Sequence, residues 1–77
     1  MEAKNERLGA LIAALRERSR LTQADLARRV GVSQSHISRI ESGSRTVCRE
    51  RLRLIAGILK ISPAELLRQA AGRKNGG

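Results

Sequence analysis

The stretch LTQADLARRVGVSQSHISRIESG, Leu21 to Gly43, decides the fold. Thr22 is a good helix N-cap, and Asp25 stands three residues on, at the N3 position where the acid of a capping box sits. A helix is expected over about 23–30. Gly31 can take the left-handed conformation that ends a helix, Val32 plugs the corner, and Ser33 caps a further helix over about 34–41. Two helices crossing at about 90 to 120° need a small residue where the axes approach, a residue tolerating positive φ in the turn, and inward apolar positions on both sides. Ala27, Gly31 and the set Leu26, Val30, Ile37 and Ile40 meet those demands in order. The pattern is a helix-turn-helix. With Ile37 and Ile40 turned inward, Gln34, Ser35, His36, Ser38 and Arg39 are left to donate and accept hydrogen bonds, as a major-groove probe must.

Upstream, Leu8, Leu11, Ile12 and Leu15 recur at helical spacing, with Arg7, Arg16, Glu17 and Arg18 on other faces, so a first helix is expected over about 5–18. Downstream, the small polar run Ser42-Gly43-Ser44-Arg45-Thr46 reads as a loop that closes the third helix at Gly43. A fourth helix follows on Leu52, Ile55, Ala56 and Leu59. Gly57 inside it costs about 1 kcal/mol relative to Ala, which points either to close packing or to no purpose. In Ser62-Pro63-Ala64-Glu65, Ser caps, Pro takes the first helical position and Glu reaches N3, so a fifth helix is expected over about 63–71. The residues 72–77 contain nothing to bury and are expected to be disordered. With no strand signal and no repeat, the reading is an all-α, compact five-helix domain over 5–71.

The composition narrows the function. Sixteen Lys and Arg against seven Asp and Glu leave a charge of +9, so a polyanion is the expected partner. The absence of Phe, Tyr and Trp removes the side chains that stack on splayed bases in single-strand and RNA readers, which places double-stranded DNA first. One cysteine and one histidine cannot build the usual four-ligand zinc site or an internal disulfide, so no metal and no cofactor are expected. No phosphate-binding loop or catalytic cluster recurs, and an enzyme is not expected. The longest apolar run, Ala10 to Leu15, is far short of a bilayer span, and the start of the chain lacks a signal-peptide profile; a cytoplasmic location without membrane contact follows as an expectation.

The motifs Leu-Thr-Gln, Leu-Ala, Val-Gly-Val-Ser and Ile-Ser-Arg-Ile-Glu-x-Gly, together with the surrounding residues from about Leu8 to Leu67, resemble the Cro and cI repressor family of helix-turn-helix regulators, of xenobiotic-response-element type. The resemblance implies a lambda-repressor-like fold of five helices, helix 3 as the recognition helix, and a homodimer acting on a palindromic operator as a transcriptional regulator. It assigns base reading to Gln34, Ser35 and Arg39, with His36 and Ser38 at the flanks. It gives Gln23 a backbone phosphate, with Ser33 also on the DNA backbone, and lays Arg45 along the backbone or minor groove. Arg16 and Glu41 match a structural ion pair of the family. The family often has Pro where Val47 stands and an apolar residue where Arg49 stands. Val47 after Arg45-Thr46 is similar to the controller proteins of restriction-modification systems.

Several residues carry open alternatives. Arg49, Arg51 and Arg53 either guide DNA or keep the surface soluble, and His36 is either a DNA ligand or an exposed passenger. Buried packing is the expectation for Cys48. Leu66 and Leu67 lie about 100° apart on a helix and cannot both face one core, so one of them, together with Ala70, is expected to serve a dimer contact. A DNA-binding antitoxin and a protein-bridging coactivator of the same fold are the alternatives to a regulator, and both would add a protein partner. The second domain of many phage repressors is not seen, so control is expected from concentration, dimerisation or a separate partner.

Overall fold

The computed structural model describes residues 2–71, and the tail expected to be disordered at 72–77 lies outside them. Five helices follow in order: α1 (Glu2–Arg18), α2 (Gln23–Val30), α3 (Gln34–Ser42), α4 (Arg49–Ile58) and α5 (Pro63–Ala71). The all-α five-helix reading is correct, and α1 begins a few residues earlier than its apolar periodicity indicates. α1 packs on α3 and α5, α2 on α3 and α4, and α4 on α5. Each helix sends one large, fully buried aliphatic side chain to a common centre: Ile12, Leu26, Ile37, Ile55 and Leu66, all 0% exposed. Such a centre is destabilised by about 2–5 kcal/mol when one Leu or Ile is cut to Ala.

The caps explain where the helices stop and start. Thr22 Oγ1 accepts from the Asp25 amide while Asp25 Oδ2 accepts from the Thr22 amide, each at 3.0 Å, which closes a full capping box at the head of α2. Gly31 then turns the chain at φ +89°, and Ser33 Oγ accepts from the His36 amide at 3.1 Å to open α3. Gly43 ends α3 at φ +84°. The helices α1 and α4 close without glycine. Arg20 and Lys60 take positive φ of 63° and 61°, and the amides of Leu21 and Ile61 reach back to the carbonyls of Arg16 and Ala56. Left-handed backbone costs a non-glycine residue roughly 1–2 kcal/mol.

Gly9 on α1 sits against the end of α3. A Cβ built there would stand 2.6 Å from the Glu41 carbonyl oxygen and would also meet that of Ile40. Only glycine lets these backbones approach so closely. Gly57 is the opposite case: it is exposed and a Cβ there meets nothing within 4 Å, so it has no packing role.

Two burial expectations are corrected. Cys48 is exposed, because it is the extended residue just before α4 and not an inward position on that helix. Leu66 at 0% and Ala70 at 3% exposure lie inside the chain's own core, so neither has surface to offer a second copy; Leu67, 47% exposed, is the outward residue of the pair.

Candidate nucleic-acid interface

α3 divides into two faces. Ile37 and Ile40 are buried against the other helices, whereas Gln34, Ser35, Ser38 and Arg39 are exposed and His36 is half-buried at their edge. The five residues singled out for base reading therefore share one helix, with four of them open to solvent. The loop that follows is tied to this helix by its serines. The Arg39 carbonyl accepts from the Ser42 hydroxyl at 3.0 Å, the Ser44 amide at 3.0 Å and the Ser44 hydroxyl at 3.3 Å. These bonds tie the loop that carries the exposed Arg45 to the end of α3.

Electrostatics joins this loop and α4 to the same face. His36 titrates below its ordinary value, first because it loses water and then because the positive charges of Arg45, Arg51 and Arg39 oppose its protonation. Those arginines come from the loop, from the first turn of α4 and from α3. Arg51 thus acts on the charge of His36 together with Arg45 and Arg39. The sequence leaves Arg51 undivided from Arg49 and Arg53, since charge counting alone does not say which arginine of α4 acts on His36.

A second cluster stands at the head of α2. Arg16, on α1, donates through Nε to Glu41 Oε2 at 2.7 Å and through Nη2 to Glu41 Oε1 at 3.2 Å. Its Nη1 donates to the Leu21 carbonyl at 2.7 Å. Gln23, the first residue of α2, donates through Nε2 to Glu41 Oε1 at 2.9 Å. The Arg16 and Glu41 side chains are 10% and 7% exposed, and the hydrogen bond to Glu41 raises the Arg16 pKa above its ordinary value. The Glu41 carboxylate therefore joins α1, the first residue of α2 and the last turn of α3, and Arg16 extends the link to the turn before α2. The Leu21 carbonyl and the Gln23 link were not legible in the sequence, where Gln23 carried only a phosphate expectation.

Away from these groups, α4 and α5 form a shallow depression lined by Val47, Leu52, Pro63, Ala64 and Leu67, with Arg49 and Arg53 also bordering it. Leu54, 50% exposed, stands on the same helix as Leu52. Among the described residues no group of His, Cys, Asp and Glu could hold a metal ion, and no helix is long and apolar enough to cross a membrane.

Comparison with known proteins agrees with this geometry. Two crystal structures of the clp gene regulator ClgR from Corynebacterium glutamicum superpose on 90% of the chain at 33% sequence identity. The first has a TM-score of 0.85 with 73% of its chain covered, and the second a TM-score of 0.83 with 88% covered. No curated protein gives a significant sequence match. A family profile described as a helix-turn-helix domain matches residues 7–69, a span that holds α2, the Gly31 turn, α3 and the whole of α4. The chain belongs to the helix-turn-helix domain family.

Proposed function

We propose that this chain is a sequence-specific transcriptional regulator of the Cro/cI type that binds double-stranded DNA with α3 in the major groove. The observation that carries this reading is the two-faced character of α3: two buried isoleucines fix it, and an exposed row of Gln34, Ser35, Ser38 and Arg39 is left to meet base edges. Gln34 suits adenine and Arg39 suits guanine, each through paired hydrogen bonds, and Ser35, Ser38 and His36 complete the contact. Gln23 and Ser33, at the N-terminal ends of α2 and α3, are suited to backbone phosphates, because helix N-termini favour anions. Arg45 serves the backbone or a narrow minor groove. The net charge of +9 adds attraction that does not depend on sequence. The likeness to a clp gene regulator supports a role in controlling transcription.

One recognition helix covers about four base pairs, so useful specificity calls for a two-fold pair of helices about 34 Å apart on a palindromic site. Leu67 is the outward apolar residue of α5 and the best-placed contact for a second copy. Selection of bound duplexes from a random pool tests the whole reading. A palindromic consensus is expected; absence of any consensus would overturn sequence-specific regulation. Sedimentation tests the assembly, because a Leu67→Ser protein should fall from dimer to monomer. A wild-type protein that remains a monomer on DNA would refute the dimer.

A further inference from the structure

The cluster at the head of α2 contains an arrangement that a purely structural ion pair does not need. Arg16 alone gives both Glu41 oxygens a partner, yet Gln23 adds a third bond, to Oε1. A glutamine amide carries two N–H groups and one carbonyl oxygen. With one N–H fixed on Glu41, the amide keeps an N–H to offer at the start of α2, the end of the helix that favours anions. Left to itself, a carboxylate so close to that point would repel a phosphate. Arg16 cancels its charge through two hydrogen bonds to the same carboxylate and is itself locked by the Leu21 carbonyl, one residue before the N-cap.

We infer that Glu41 is a positioning residue for DNA: it holds the Gln23 amide toward a backbone phosphate, and Arg16 makes that carboxylate compatible with the phosphate by neutralising it. This rests on the proposed DNA-binding role and adds a function to a pair otherwise read as structural. It links the grip on the backbone to the reader, since Glu41 stands on α3 two residues after Arg39. A shift of α3 on α2 would release Gln23, so the register of the recognition helix and the hold on phosphate are set together.

The test is a double-mutant cycle on a random-sequence duplex at low salt, with Gln23→Met, Glu41→Gln and the double variant, each also followed by thermal melting. Gln23→Met should weaken binding about tenfold, the loss of a hydrogen bond to a charged group, and leave the salt slope unchanged because no cation is removed. Measured well below its melting temperature, Glu41→Gln should also bind more weakly, and the double variant should bind no worse than the weaker single variant. Losses that multiply in the double variant would overturn the positioning role, because Glu41 would then act independently of Gln23. Should Glu41→Gln not fold, the side-chain nitrogen of Gln23 in the free wild-type protein decides by NMR relaxation. An order parameter below about 0.6 would mean a freely moving amide and would overturn the inference. Wild-type protein that fails to bind any duplex would overturn this inference and the DNA-binding role together, whereas duplex binding with multiplying losses would overturn this inference alone.

Discussion

Replacing Gly9 by Ala sets two effects of opposite sign against each other, and the structure decides which wins. Intrinsic helix propensity favours Ala over Gly by about 1 kcal/mol at an interior position. Against it, the new methyl would lie 2.6 Å from the Glu41 carbonyl oxygen and 2.8 Å from its carbonyl carbon. Both are backbone atoms in the last turn of α3, and they cannot swing away as the end of a side chain does. Forcing an extra carbon into a packed contact costs about 1–3 kcal/mol, occasionally more, and here α3 must retreat from α1 as a unit. The upper part of that range applies, so the net effect is a destabilisation of about 2 kcal/mol, or about 10 °C in Tm for a domain of this size.

Gly57→Ala supplies the control within the same protein. It is equally helical but exposed, with nothing within 4 Å of the added carbon, so propensity acts alone and stability should rise by about 1 kcal/mol. The two sites share no contact, and the double variant should show the sum. Circular-dichroism melts and urea titrations read all three proteins. A Gly9→Ala protein melting at or above the wild type would refute the close α1–α3 approach, and with it the packing that brings Arg16 to Glu41.

Other outcomes are expected from the same packing. Arg39→Ala should cost about 1–3 kcal/mol on the selected operator and less on scrambled duplex, whereas Arg45→Ala should weaken both alike and lower the salt slope by about one unit. Titrations of both duplexes across a salt series separate the two cases, and equal losses for Arg39→Ala would remove α3 as the reader. Arg16→Ala leaves the largely buried Glu41 carboxylate without its main partner and should cost about 3 kcal/mol, read as a fall in Tm; an unchanged melt would contradict the ion pair's role. His36 is held below its ordinary pKa in the free fold, so the unfolded chain binds that proton more readily; this contribution to stability is complete above about pH 6.5 and is lost as pH falls through the lowered folded value. Bound DNA should reverse the sign, because phosphates would offset Arg39, Arg45 and Arg51 and favour the imidazolium. Affinity corrected for folding should rise as pH drops from 7.5 to 5.5 and should do so less in His36→Gln; identical profiles would remove His36 from the interface.

The parts of the fold readable in the sequence were those fixed by neighbours along the chain. The Thr22–Asp25 capping box, the Gly31 turn, the Ser33 cap and the Ser62-Pro63-Ala64-Glu65 start each use residues within four positions of one another, and α2 and α5 have the expected bounds. Closures built on Arg20 and Lys60 gave no such signal, since nothing in an arginine or lysine announces a left-handed backbone. Gly9 was silent for a different reason: its role depends on Glu41, which is distant in sequence and near only after folding. The same is true of the Gln23–Glu41 bond. Leu66 and Leu67 show the limit of periodicity, which says that adjacent residues diverge and leaves packing to decide that Leu66 goes in.

The residues that hold the domain together and those proposed to meet DNA are drawn from the same short helix but answer to different constraints. Ile37 and Ile40 are enclosed, so changes there alter stability before they alter recognition. Gln34, Ser35 and Ser38 are exposed, and substitutions at such positions usually change stability by no more than about 0.5 kcal/mol. At the base edges the same substitutions are each worth about 1–3 kcal/mol of discrimination. The framework can therefore carry many operator preferences at almost constant stability. Exchanging Gln34, Ser35 and Ser38 as a set should move the selected consensus while the melting curve stays in place. A set exchange that lowered Tm as far as Gly9→Ala would show that the reading face also bears the fold, contrary to the division seen in α3.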